Sequence, residues 1–440
     1  MVLRPFFGRK AARSALTLGA FPVNGRGVKQ LTLAIGFSAA LFSSLAAETL
    51  PQWKRTQITR EFWAEGAHFG DFTHDGKLDV VSGPFWYEAP DFQKRHEFYP
   101  ANASFKRKLP AGGEETVPGF EGALGHNNAY SDCFLTYAWD FNQDGWCDVM
   151  VFGFPGTPAC WYENPKGREG HWEKHAVLQV LDNESPMLVD VTGDGKPEIL
   201  CCSEGYLGYA EADWKRPSAP WEFHAVSPKG DYQRYSHGIG VGDINGDGRM
   251  DILDREAWWE QPAEPTTKPW TRHPFAFAPA AAQMLVYDVN GDGLNDVITC
   301  VNAHGYGLSW FEQVREGANI TFKEHTILNK DATPEAHGVS FSQPHALDLV
   351  DIDGDGLKDI VTGKRFWAHG PDGDPDPNGR AVLYWFQLKR GAGGQAEFIP
   401  HLVDSDSGVG TQVTGACVTN AKRPDILVGN KKGLFLFQQK

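Results

Sequence analysis

Beyond residue 47 the apolar positions come in short runs separated by clusters of Gly, Pro, Asp and Asn, which is the pattern of short strands joined by tight turns. Three kinds of run recur in a fixed order. The first is aliphatic, as in Val80-Val81, Val149-Met150-Val151, Ile252-Leu253, Val297-Ile298 and Ile426-Leu427-Val428. The second is aromatic, as in Trp86-Tyr87-Glu88, Trp161-Tyr162-Glu163, Trp258-Trp259-Glu260, Trp310-Phe311-Glu312 and Trp385-Phe386-Gln387, and suits a half-buried pleated surface. The third alternates around a histidine: His96, His175, His224, His273, His325 or His401. With one strand ahead of them these runs predict four strands per repeat, called A to D in chain order.

A nine-residue loop joins A to B, and its recurrence fixes the architecture. The copies are DFTHDGKLD at 71, DFNQDGWCD at 140, DVTGDGKPE at 190, DINGDGRMD at 243, DVNGDGLND at 288 and DIDGDGLKD at 351. A seventh, CVTNAKRPD at 417, keeps only the frame. Spacings of 69, 50, 53, 45, 63 and 66 residues are too long for a solenoid coil and fit a four-stranded propeller blade with variable loops. The expected fold is all-β: a seven-bladed β-propeller of four-stranded antiparallel blades spanning 48–440. The seventh repeat ends after its strand C, while Trp53-Lys54-Arg55-Thr56-Gln57-Ile58 reads as a strand D with no blade before it. An N-terminal strand completing the last blade closes the ring and removes open sheet edges.

The loop also carries chemistry. A hard dication wants six to eight oxygens at about 2.4 Å, and loop positions 1, 3, 5 and 9 present them while a glycine permits the sharp turn. The expected ligands are Asp71, Thr73, Asp75 and Asp79; Asp140, Asn142, Asp144 and Asp148; Asp190, Thr192, Asp194 and Glu198; Asp243, Asn245, Asp247 and Asp251; Asp288, Asn290, Asp292 and Asp296; and Asp351, Asp353, Asp355 and Asp359. One such match is an ordinary turn, but six in register predict about six structural calcium ions. Cys417 and Ala421 stand at ligand positions of the seventh copy, where no calcium is expected. These loops resemble the FG-GAP and VCBS repeat family. The resemblance covers residues 50–440 and implies a propeller with calcium between strands A and B. It leaves function open, since such propellers include adhesion receptors, lectin-like proteins and sugar-processing enzymes.

Residues 1–47 hold six Lys and Arg, no acid, and an apolar run from Leu31 to Ala47 ending in Ser44-Leu45-Ala46, the pattern of a signal peptide. The expected localisation is secreted or periplasmic, with no transmembrane domain in the mature chain and a retained anchor as the alternative. Losing those six cations moves the formal charge from −15 to −21, which argues against a nucleic-acid partner. Six calcium ions would bring it to −9. The seven cysteines are odd in number and show no zinc-type spacing, so they read as buried thiols.

If the aspartate loops occupy one face, the D-to-A and B-to-C connections occupy the other, around the central funnel. His126, His237, His337, His345, Lys364 and Arg365 all fall in such connections, with Asn127, Asn128, His304 and His369. They form a candidate site able to move a proton, steady an oxyanion or hold an additional metal of unknown kind. The expected function is a monomeric binding module for a glycan or protein ligand, with Trp367 and Trp63 as stacking surfaces. The alternative is a carbohydrate-active enzyme of the lyase or dehydratase type, using a His base with Lys or Arg. Convergence of these side chains favours the enzyme and scatter favours binding.

Overall fold

The computed structural model describes residues 50–102, 104–109, 111–118, 130–266, 269–334, 336–420 and 422–440. The expected leader and His126 lie outside them. Pro51–Lys440 is one compact unit. All its elements are strands, with no helix among the described residues.

In the first repeat, strands A to D are His68–Gly70, Asp79–Ser82, Phe85–Tyr87 and Arg95–Glu97, paired in that order. The second, third and sixth repeats build the same four-stranded antiparallel sheet, starting from strands A at Leu135–Trp139, Met187–Val189 and Leu347–Val350. The fourth and fifth repeats do so too, but share one eight-stranded sheet. Their strands A, Ile239–Gly242 and Gln283–Tyr287, pair in parallel, with Ile239 opposite Gln283. The last sheet joins Val413–Asn420, Arg423–Asn430 and Gly433–Gln439 to Trp53–Thr59, with Trp53 opposite Gln439. The fold is therefore an all-β propeller of antiparallel four-stranded blades, and its N-terminal strand completes the C-terminal sheet. A further hairpin, Ser104–Lys108 with Glu114–Pro118, occupies the insertion ahead of the second sheet.

The core lies between sheets. Val81 and Trp86 of the first repeat pack with Val149, Val151 and Trp172 of the second, and Leu427, Leu434 and Leu436 of the last pack with Phe69, Val80 and Tyr87 of the first. Strands A approach closely at the axis, and glycine makes this possible. A Cβ on Gly240 would lie 2.0 Å from the Met284 carbonyl oxygen, and one on Gly415 would lie 2.6 Å from Val350.

The strand-D histidines have one structural role throughout. Each is the direct cross-strand partner of a strand-C aromatic, with ring centroids 3.8 Å apart in Trp86–His96, 3.9 Å in Trp258–His273 and 4.2 Å in Trp310–His325. Each Nε2 also meets the residue two after that aromatic: Glu88 at 3.1 Å, Glu260 at 2.9 Å and Glu312 at 2.7 Å. Aromatic, acid and histidine thus staple strands C and D together.

Position 9 of the aspartate loop is a second recurring staple. Asp148 is fully buried; its Oδ2 accepts from the Phe141 amide at 2.9 Å and its Oδ1 from the Asn164 amide at 2.8 Å, tying the A–B loop to the end of strand C. Asp251, Asp296 and Asp359 accept the equivalent pairs of amides. The seventh repeat keeps this bond: Asp425 accepts from the Thr419 and Gln439 amides.

Candidate functional site at the propeller axis

Antiparallel A-B-C-D order puts the A–B loops and C–D turns at one end of each sheet and the D–A crossings and B–C turns at the other. The second end gathers charge. Glu65 stands before the first strand A, and Glu184, His237 and His345 lie in the crossings that enter the third, fourth and sixth repeats. His304, Arg365 and Lys431 lie in the B–C connections of the fifth, sixth and seventh. The crossing 181–185 is buried throughout, and its backbone is held from the next crossing. The Glu184 amide donates to the Ser236 carbonyl at 3.1 Å and the Tyr235 amide to the Asp182 carbonyl at 2.9 Å, which fixes Glu184 beside His237.

Arg365, completely buried, bridges two carboxylates: its Nε is 3.2 Å from Glu65 Oε2 and its Nη1 is 3.4 Å from Glu184 Oε2. Three imidazoles face the same Glu184 oxygen, with Nε2 at 3.2 Å for His345, 3.6 Å for His237 and 3.8 Å for His304. His237 and His304 bring their Nε2 atoms to 3.2 Å from each other. Behind them, Asp374 Oδ1 lies 3.6 Å from His304 Nδ1 and 2.8 Å from His369 Nδ1. Lys431 Nζ donates to the Trp367 carbonyl at 2.6 Å and stands 3.7 Å from Glu65 Oε1.

Burial and charge set the protonation states. Burial opposes the Glu184 charge, but His237, His345 and Arg365 outweigh it and hold this carboxyl far below the usual range. Burial, with Arg365 nearby, pushes His345 well below the ordinary imidazole value and also lowers His304. Burial likewise brings Lys364 and Lys431 each down to about 8. Four buried atoms of the cluster have no hydrogen-bond partner: Glu65 Oε1, Arg365 Nη2, His304 Nδ1 and His345 Nδ1.

Of the six candidates named from sequence, the structure brings His237, His345 and Arg365 together. Lys364 adjoins Arg365 but reaches away to the Ser342 hydroxyl. His337 is elsewhere, because its crossing turns at 333–338 with His337 at φ 52°, and the ring pairs with Glu397 on the outer strand Ala396–Asp404 at 3.2 Å. Trp367 is not a stacking surface: it is buried against Phe366, and its Nε1 donates to Asn378 at 3.0 Å. Trp63 is half-buried with its Nε1 donating to Glu61. Among the described residues an exposed aromatic at this rim is Tyr235, beside a pocket of 230 Å³ lined by Tyr232, His237, Asp254, Arg255 and Trp259. A 470 Å³ cleft lined by Tyr99, Asp132, Phe154 and Trp172 lies apart from the charged cluster. Sequence reading missed Glu65, Glu184 and Lys431. Glu65 and Glu184 stand six residues before Asp71 and Asp190, the register of His237 and His345, and that spacing could have found them; Lys431, in a B–C turn, carries no such mark.

Residues 140–201 match the family model of an FG-GAP-like repeat. The chain carries an FG-GAP-like repeat. The matched segment is the second repeat from its aspartate loop to the third repeat's strand B, the stretch that contains Glu184. Solved structures similar to this repeat chain include an Agrocybe aegerita lectin described as recognising non-reducing terminal N-acetylglucosamine, at 18% identity over 80% of this chain and 81% of that one, with a TM-score of 0.43. YCF48 from Cyanidioschyzon merolae matches at 12% identity over 88% and 98%, with a TM-score of 0.43. A mutant of AofleA from Arthrobotrys oligospora matches at 10% identity over 66% and 78%, with a TM-score of 0.39. No curated protein matches significantly. No helix among the described residues is long and apolar enough to cross a membrane.

Proposed function

We propose that this chain is an exported, calcium-stabilised propeller of seven blades that binds a glycan, or failing that a protein ligand, at the axis on the face opposite the aspartate loops. The shared eight-stranded sheet counts as two blades, since each half is a complete A-B-C-D array. The observation that carries the reading is the exposed Tyr235 ring beside a 230 Å³ pocket lined by His237, next to a charged cluster in which Arg365 Nη2 and His345 Nδ1 are buried without a hydrogen-bond partner. Such groups cost stability unless something uses them. A hydroxyl-rich ligand offers matching donors and acceptors, and Tyr235 offers a ring to stack on. The test is a glycan array followed by calorimetry. Loss of binding in His237→Ala and Tyr235→Ala, with Tm unchanged, supports the site, whereas binding that survives both overturns it.

Calcium at the A–B loops is supported by their donor sets. Asp190, Asp194 and Glu198, and likewise Asp351, Asp353 and Asp355, bring three acidic oxygens within 4.8 Å of one another, a hard all-oxygen set. A monomer is the expected state, checked by light scattering. One observation favours the enzymatic alternative, a lyase or dehydratase: three of the residues expected to converge in an enzyme do so, since His237 and His345 stand beside the same carboxylate as Arg365. Release of an unsaturated sugar, read by ultraviolet absorbance and lost in His237→Ala, distinguishes it from binding alone.

A further inference from the structure

We propose that Glu184, His237, His304 and His345 form a site for one divalent transition metal of the zinc class, open toward the funnel. The metal site does not depend on the glycan reading. Its first support is geometric. Four ligands held about 2.1 Å from a tetrahedral ion stand about 3.4 Å from one another. The Glu184 oxygen lies 3.2, 3.6 and 3.8 Å from the three Nε2 atoms, and two of those nitrogens are 3.2 Å apart. All four donor atoms lie within 4.8 Å of one another.

The second support is that hydrogen bonding does not account for the arrangement. Three imidazole nitrogens and the Arg365 Nη1 all converge on one carboxylate oxygen, which has two lone pairs. His237 and His304 point nitrogen at nitrogen, so at most one of them donates to the other. A cation at the centre of the four atoms satisfies all of them at once. The third support is placement. Glu184, His237 and His345 each stand six residues before the first aspartate of their loop, so one register of the D–A crossings aims them at the axis, and His304 joins them from a B–C connection.

The donor types select the metal. Three imidazole nitrogens and one carboxylate oxygen suit zinc or its first-row neighbours, in contrast to the all-oxygen aspartate loops. Asp374, 3.6 Å from His304 Nδ1, is placed to orient that ring from behind. His345 is fully buried, but the side chains of His237 and His304 are 13% and 18% exposed, and His237 lines the 230 Å³ pocket. A fifth coordination position would therefore face the pocket, where a ligand hydroxyl or carboxylate can enter.

The test strips the full chain with chelator, dialyses it into millimolar calcium to fill the oxygen loops, and titrates it with zinc and with cobalt as a spectroscopic probe. The expected result is one ion per chain with the visible bands of four- or five-coordinate cobalt, and affinity at least about a hundredfold weaker in His304→Ala. His337→Ala should bind as the wild type does. A folded chain without stoichiometric uptake, or a His304→Ala variant with unchanged uptake and spectrum, overturns the site. Glycan binding that persists with no metal uptake overturns this inference alone. Metal uptake without any glycan binding upholds the site and overturns the glycan reading.

Discussion

At the scale of single residues, the axis concentrates charges that water would otherwise solvate, and each survives only because of its partner. Arg365 is the hinge of that network, since it neutralises Glu65 and Glu184 together. Arg365→Ala leaves two buried carboxylates uncompensated and is expected to cost about 3 to 5 kcal/mol in chemical denaturation. Lys431 gives a pH signature. Burial lowers it to about 8 from its ordinary 10.5, so between those values the unfolded chain holds a proton that the folded chain has released. Its contribution to stability is therefore full above pH 10.5 and is lost as pH falls through 8. Relative to Lys431→Met, the wild type should gain about 3 kcal/mol across that window. Parallel stability curves for the two proteins would refute this.

At the scale of the element, two motifs do the repeating work. The aromatic–acid–histidine staple joins strands C and D by ring stacking and a hydrogen bond, so His325→Ala should cost about 1 to 2 kcal/mol by denaturation. Position 9 of the aspartate loop has a role that the calcium reading alone does not contain. It accepts amides in every repeat whose bonds are given above, including the seventh, which lacks the other ligands. Asp425→Ala should therefore cost about 2 to 3 kcal/mol in chelator and in calcium alike, because it orphans buried amides. A variant as stable as the wild type would overturn this role. The acid was legible in the sequence as a ligand; its amide partners at the end of strand C were not, since they are separated from it by a whole hairpin.

At the scale of the molecule, the first and last described strands meet in one sheet. Trp53–Thr59 pairs along Gly433–Gln439, and Ile58 packs into the cluster that joins the last sheet to the first. Deleting 51–59 exposes that edge and should replace one cooperative thermal transition with a broad one, followed by calorimetry. Calcium belongs to the same scale. If each of six sites holds its ion about tenfold above its dissociation constant, mass action contributes about 1.4 kcal/mol per site and about 8 kcal/mol together. Chelation should accordingly lower Tm by many degrees, and an unchanged Tm would remove calcium from the account of stability.

The sequence by itself determined what is local or periodic. Alternation and turn residues gave the four strands of each repeat, the spaced aspartate loops gave the repeat count, and the unpaired strand at Trp53 gave the closure, because each is written within a few residues and then repeated. From strand order alone it also indicated which face to examine. Only the tertiary structure decided which side chains meet there. His237, His345 and Arg365 converge, while His337, equally plausible by spacing, turns outward to Glu397 because its crossing is long enough to form a turn of its own. Glu65, Glu184, His304 and Lys431 reach one point from connections spread over the whole chain. The spacing of six residues before an aspartate loop aims Glu65 and Glu184 at the axis with His237 and His345, but the approach of His304 and Lys431 from B–C connections depends on how the sheets are disposed around it, and no local pattern encodes that.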